Sequence, residues 1–307
     1  MYAFAPQYDA YRREGKLMKH YILYNPHAGN GTAEEAARKL VEATHEATVF
    51  LDMTSIESYA SLLSELTAED SLILCGGDGT LNRFINDTDG LSVPCEVLYL
   101  AVGSGNDFLR DLGKTPDGTP VSITAYIRDL PSAVVKGKTY RFLNNVGFGI
   151  DGYCCEVGDE LKARSAKSVN YTSIAIKGLL FHYKPKNAVI TVDGKEYRFK
   201  KVWLAPTMKG RYYGGGMMAA PHQDRSAPDG KLSVMLFHGY GRLRTLTVFP
   251  SIFKGEHIKH EKTVTVLTGY DIKVSFDAPS AVQIDGETVK GVTEYTATAR
   301  VRVPEQV

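Results

Sequence analysis

Three short runs rich in glycine, asparagine and aspartate constrain this chain more than any other feature. They are Asn25-Pro26-His27-Ala28-Gly29-Asn30-Gly31, Gly76-Gly77-Asp78-Gly79-Thr80 and Gly103-Ser104-Gly105-Asn106-Asp107. Each follows an apolar, strand-like run (20–24, 71–75 and 96–101), and helical patterns at 33–42, 55–66 and 81–86 alternate with those runs and with a further strand at 48–51. Strands alternating with helices imply an α/β domain whose parallel sheet is wrapped by helices. The three loops then share the carboxyl edge of the sheet, the edge at which open α/β sheets bind ligands.

The second run carries the strongest chemical signal. Its three glycines allow unusual backbone angles and leave no side chain between main-chain amides and a ligand. Amides at a helix start attract phosphate oxygens, yet Asp78 repels them. A divalent cation between carboxylate and phosphates removes that conflict. The bland alternative is an aspartate that caps the next helix. The first loop is weak evidence by itself; three such loops on one edge favour a nucleotide site.

From residue 139 the pattern changes to β-rich runs at 140–146, 188–192, 196–204, 232–237, 263–268, 271–276 and 280–284, punctuated by Asp193-Gly194 and Asp285-Gly286. Helical patterns at 159–183 and 243–253 interrupt them. The expected organisation is a poorly ordered leader over 1–18, an α/β domain over 19–138, an antiparallel β domain over 139–295 and a terminal segment over 296–307. Two more carboxylate settings lie in the second half: Asp151 within Asn145-Val146-Gly147-Phe148-Gly149-Ile150-Asp151-Gly152, and Asp285 with Glu287 around a turn that by pattern alone is an Asp-Gly hairpin.

Composition narrows the function. The 307 residues carry 36 Lys+Arg against 35 Asp+Glu, a net charge of +1 that offers no field for nucleic acid. Four cysteines include no C-x-x-C pair, which excludes a disulfide framework or zinc knuckle and suits a reducing cytosol. No apolar run approaches the roughly 18–20 residues that span a bilayer, so a cytoplasmic protein is expected. Several motifs are decoys. Gly137-Lys138-Thr139 lacks the first glycine of a phosphate-binding loop, Ser104 lacks the nucleophile-elbow glycine at position 102, and His257 and His260 lack a zincin glutamate. The Rossmann glycine pattern is absent, against hydride chemistry.

Taken together, Tyr24-Asn25-Pro26 with Gly29, the run Gly76 to Thr80, Gly103-Ser104-Gly105-Asn106-Asp107-Phe108, the stretch from Asn145 to Gly152 and Asp285-Gly286-Glu287 resemble the diacylglycerol kinase catalytic-domain family, in its soluble bacterial lipid kinase branch. The five-residue Gly-Gly-Asp-Gly-Thr motif is shared with NAD kinases and phosphofructokinases; the order of all five motifs carries the resemblance. It implies an ATP-binding α/β domain, a C-terminal β-sandwich, an active site in the cleft between them and a chain end that returns to the first domain. It further implies that Asn25, Pro26, Gly29, Thr54, Gly76, Gly77, Asp78, Gly79, Thr80 and Ser104 line the ATP site. Asp78, Asp107 and Asp151 would form a network around Mg2+, Glu287 would accept the proton, and Asp285 would orient it or join the metal network. A structural Mg2+ would be held by the Asp229 side chain with Ser226 and Lys231 giving carbonyls. Where relatives often carry threonine and a larger residue, this chain has Ser104-Gly105.

The function implied is an ATP-dependent lipid kinase acting on diacylglycerol. A sphingoid base, ceramide, a glycolipid or NAD as acceptor, and a non-catalytic nucleotide- or lipid-binding protein, are the alternatives. The expected partner is a membrane lipid, met through transient contact with the membrane surface, with a homodimer open. The stretch Tyr171 to Lys186, with Lys162, Arg164 and Lys167, suits anionic headgroups, and equally a core helix with solvated lysines.

Overall fold

The computed structural model describes residues 18–300 except 45, 104, 165–173, 175–177 and 179–181. Four strands run parallel in the first half: β1 (Lys19–Tyr24), β2 (Ala47–Asp52), β3 (Ser71–Gly76) and β4 (Glu96–Ala101). A two-residue β5 (Val121–Ser122) joins antiparallel to β4, giving the order β2-β1-β3-β4-β5. Every residue of β3 is buried, as a central parallel strand covered on both faces requires. Alternate residues divide between two cores. Ile22, Ile73, Leu98 and Leu100 meet one apolar layer beside α1 (Ala33–Ala43). Leu23, Leu72, Leu74, Val97 and Tyr99 meet the other, with α2 (Tyr59–Ser64), α3 (Asp78–Asp87) and α4 (Asp107–Asp111). Helix α5 (Thr124–Ile127) follows β5. Helix α3 starts three residues earlier than the pattern suggests, inside the glycine run itself.

The second half is an antiparallel ten-stranded sheet. Its strands are β6 (Ser132–Val135), β7 (Lys138–Arg141), β8 (Asn145–Gly149), β9 (Lys186–Val192), β10 (Lys195–Val202), β11 (Leu204–Met208), and, after the small hairpin β12 (Tyr212–Tyr213) and β13 (Met217–Met218), β14 (Leu232–Phe237), β15 (Val264–Gly269), β16 (Asp271–Ile284) and β17 (Glu287–Thr298). The runs 271–276 and 280–284 are one long strand, β16. Its first half pairs with β9, its last residues pair with β8, and the register slips between Ser275 and Ser280. Across that slip the strand changes partner from β9 to β8, and the core beside it holds Phe148 stacked on Phe276 at 4.5 Å, with Ile190, Val274 and Tyr295.

Two boundaries differ from the sequence reading. The β6–β7 hairpin turns at Lys136 and Gly137, both with positive φ (49° and 76°), and β6 pairs with β17, so the second sheet begins at Ser132 rather than after 138. Residues 296–298 complete β17, and beyond them Arg300 Nε stands 3.9 Å from Asp129 Oδ1, a residue that precedes β6. Residues 1–17 and 301–307 lie outside the described residues. Helix α6 (Ile150–Arg164) starts directly after β8, nine residues ahead of the expected 159.

Candidate active site

The three glycine-rich loops meet at the carboxyl edge of the parallel sheet. Asn25 donates its amide to Cys75 O (3.1 Å) and its side-chain Nδ2 to Thr80 Oγ1 (3.0 Å), while Val102 N donates to Gly76 O (2.7 Å). Two of the glycines have no room for a side chain within their own turns. A Cβ on Gly76 would lie 2.2 Å from Thr80 Oγ1, and one on Gly29 would lie 2.6 Å from Thr32 Oγ1 at a φ of +59°. Gly79 remains exposed at the first turn of α3.

At this junction two carboxylates from different loops are each held by backbone amides. Asp78 Oδ2 accepts from Asp107 N at 2.7 Å, and Phe108 N adds a second bond. Asp78 is therefore a cap, although for α4 rather than for its own helix. Asp107 Oδ2 in turn accepts from Gly215 N at 2.7 Å, across a separation of 108 residues. Burial, then the neighbouring Asp107 charge, push the Asp78 carboxyl up to about 7. Asp107 is raised as well, chiefly by burial. Each has one buried oxygen, Asp78 Oδ1 and Asp107 Oδ1, with no hydrogen-bond partner; Arg110 is the cation nearest the latter, at 3.8 Å.

The second domain reaches this edge through three elements. The β16–β17 turn is indeed a two-residue Asp-Gly hairpin, with φ of 47° and 96° at Asp285 and Gly286. The hairpin is more than a turn. Asp285 Oδ1 accepts from Asn144 N (2.7 Å) and Asn145 N (2.9 Å), and Oδ2 accepts from Leu143 N (2.5 Å) and from Asn82 Nδ2 of α3 (2.9 Å). Two donors on each oxygen leave a carboxylate no free lone pair, so Asp285 positions the hairpin on α3. Glu287, exposed, starts β17 opposite Ile284.

The second element is the run Gly214-Gly215-Gly216 between β12 and β13, whose amides hold Asp107. The third is a buried clamp. Asp111, at the end of α4, accepts from Arg225 Nε at 2.7 Å and from Arg211 Nε at 2.8 Å; Arg225 also donates to Leu143 O and Asn144 Oδ1, both at 2.7 Å. Sequence reading missed both. The glycine triplet was a usable signal, since three consecutive glycines mark a backbone that must approach something closely. Nothing local marks Asp111, Arg211 and Arg225, which are 100 or more residues apart where they pair across the domains.

Thr54, in the exposed turn after β2, donates both its amide and its hydroxyl to Asp52 at 2.7 Å. Pro26 lies in the first loop, half-buried. Ser104 and the side chain of Asp151 lie outside the described residues. In the loop 224–231, Asp229 is already engaged by Lys231, whose amide donates at 3.3 Å and whose ammonium lies 3.3 Å away, and the Lys231 carbonyl accepts from Gln223 Nε2 at 2.8 Å. Ser226 N donates to Asp224 Oδ1 at 2.8 Å. That loop adjoins a hollow of about 500 Å3 lined by Asp224, Asp229, Lys231 and Glu261 among others.

Among the described residues no group of three His, Cys, Asp or Glu side chains is arranged to hold a metal alone. The Asp78–Asp107 pair still fits a divalent cation. Two mutually repelling carboxylates, each with a buried oxygen that accepts no hydrogen bond, are the donor type such a cation takes, with water or phosphate oxygens completing its shell.

A parallel sheet carrying phosphate-type loops, with an antiparallel β domain closing a carboxylate pair against it, defines a two-domain phosphotransferase. The diacylglycerol kinase catalytic domain matches residues 19–136, and the YegS C-terminal NAD kinase beta sandwich-like domain matches residues 144–305. The chain belongs to this family, and is a kinase that transfers phosphate to an alcohol group. Among its relatives, the "Diacylglycerol kinase" of Mycobacterium tuberculosis is 25% identical over 269 residues, 82% of this chain and 85% of that one. The Bacillus subtilis protein of the same name is 25% identical over 282 residues, 87% and 88% of the two chains. A Bacillus anthracis crystal structure described as a diacylglycerol kinase shares the fold with a TM-score of 0.58 at 19% identity, covering 96% of this chain and all of that one. A second structure from that organism aligns at a TM-score of 0.67 and 20% identity, covering 96% and 99%.

Proposed function

We propose that this kinase transfers the γ-phosphoryl group of ATP to the hydroxyl of a lipid, diacylglycerol being the acceptor that its relatives' names favour. The observation that carries the site assignment is the Asp78–Asp107 pair, brought together by loops after two parallel strands, with a buried oxygen on each carboxylate that accepts no hydrogen bond. Phosphoryl transfer asks the protein mainly to position two oxygens in line and to offset charge. The glycine loops supply main-chain amides without intervening side chains, and Thr80 and Asn25 lock the first two loops together. Bound Mg2+, held by Asp78 and Asp107, would neutralise phosphate charge. Glu287 accepts the proton of the attacking hydroxyl. Its exposure at the hairpin suits a base that meets an incoming acceptor, and the saturated Asp285 carboxylate fixes the turn it stands on.

The test is Glu287→Gln, assayed with radiolabelled ATP against diacylglycerol, a sphingoid base, an undecaprenol-like alcohol and NAD in parallel. The expected variant binds ATP normally and loses turnover by orders of magnitude. Near-normal turnover rejects Glu287 as the base, and transfer by the wild-type protein to NAD alone rejects the lipid acceptor.

A further inference from the structure

We infer that the outer face of residues 242–254 is the surface on which this protein settles onto an anionic lipid layer, an inference that rests on the lipid acceptor proposed above. The helix Arg242–Val248 and the 3-10 turns Phe249–Lys254 that continue it bury Thr245, Val248, Phe249 and Ile252 in the second domain. Their other face is apolar too. Leu243 is 80% exposed and Phe253 44% exposed, and Thr247 and Pro250, at helical spacing between them, are also exposed. One exposed leucine needs no explanation, but two large apolar side chains on one outward strip mark a contact surface.

Charge selects the occupant. Arg242 and Arg244 flank Leu243, Lys254 follows Phe253, and no Asp or Glu occurs between Asp229 and Glu256. Lys200, whose carbonyl accepts from Gly239 N at 3.0 Å, and Lys201 add two exposed residues of the same sign beside the start of the strip. Arg244 lies over the Tyr240 ring at 4.3 Å, an aromatic–cation pair of the kind enriched where protein meets headgroups. Apolar anchors flanked by basic side chains fit anionic headgroups over acyl chains.

The strip also leads to the active site. Gly255, at a φ of +69°, is pressed so closely to Met218 and Pro221 that a Cβ would lie 2.7 and 2.8 Å from their atoms. His257 Nε2 donates to Ala219 O at 3.0 Å. Met218 belongs to the β12–β13 hairpin, and Gly215 of that hairpin holds Asp107. An acceptor resident in the membrane would thus meet the site from the surface on which the protein rests.

The experiment is flotation of the full chain with phosphatidylcholine vesicles made with or without phosphatidylglycerol. The wild-type protein should float only with phosphatidylglycerol and be released by high salt. Leu243→Ser/Phe253→Ser and, separately, Arg244→Glu/Lys254→Glu should each weaken flotation at least tenfold. Both should retain the wild-type thermal melt and wild-type transfer to a short-chain acceptor dispersed as monomer. Flotation of both variants at the wild-type level overturns the inference, as does a concentration-dependent dimer that the variants abolish, since the strip would then be a self-contact. Failure of the lipid-acceptor reading is distinguishable: wild-type protein would float yet phosphorylate no lipid.

Discussion

The Asp78–Asp107 pair and the loop 224–231 are the two places where carboxylates were expected to hold metal, and they differ in what already satisfies them. Asp229 has its own loop for a partner, with the Lys231 amide and ammonium two residues away. Asp78 and Asp107 have backbone amides for one oxygen each and no hydrogen bond to the other, and among the described residues the only cation near is Arg110, 3.8 Å from Asp107 Oδ1. A carboxylate that has found a cation inside its own chain gains little from another, whereas buried oxygens left without donors retain the full cost of desolvation until a cation arrives. Readiness for a ligand is therefore read from unmet demand rather than from residue type.

The comparison can be broken most sharply at Asp78. Asp78→Asn keeps an acceptor for the Asp107 amide but removes the charge, so turnover should fall by about a thousandfold or more, roughly 4 kcal/mol of transition-state stabilisation. Without added cation at pH 8 its melting temperature should equal or exceed that of the wild-type protein, because a repulsion has gone. A variant that is both active and less stable would remove Asp78 from the metal-ready pair.

Next in size is the clamp. Arg225→Met leaves Asp111 buried with Arg211 alone, and breaking such a pair costs about 3–5 kcal/mol, measurable by urea unfolding. A loss near zero would mean that the domains are held by other contacts.

The pH dependence sharpens the same contrast. The Asp78 carboxyl titrates at about 7 when folded against 3.8 unfolded, so between those values the folded state holds a proton that the unfolded chain has released. Its contribution to stability is present below 3.8, declines as pH rises and is lost above about 7. Thermal melts should show the stabilisation by Mg2+ growing from pH 6 to pH 8, when both carboxylates are free to bind, and Asp78→Asn should abolish that trend. Equal stabilisation at both pH values would contradict it. The smallest effect belongs to Asp229→Ala, which removes a largely exposed ion pair. Stability should change by less than about 1 kcal/mol and Mg2+ dependence should not change; a large, metal-dependent loss would instead support the loop as a structural metal site.

Much of this was legible in the residues. The apolar runs ending at Tyr24, Cys75 and Ala101 mark β1, β3 and β4 to within a residue, because a strand buried on both faces is continuously apolar and a glycine loop stops it abruptly. The hairpin at Asp285-Gly286 was equally plain. Its second role was not, since Asp285 hydrogen-bonds Asn82 across 203 residues. In sequence β16 shows as two runs, 271–276 and 280–284, and only pairing to two different neighbours carries the strand through the residues between them. Arg211 and Arg225 look like ordinary surface cations in sequence; they are partners of Asp111 because the domains close on each other.

What the sequence by itself determined is the kind of scaffold and the chemical vocabulary: local periodicity sets strand against helix, and glycine sets where main chain can approach a phosphate. Tertiary structure decided which carboxylates are spent and which are left wanting, because hydrogen-bond saturation depends on donors brought from distant parts of the chain. Gly215 reaching Asp107 and Leu143 to Asn145 reaching Asp285 are contacts that no local pattern encodes.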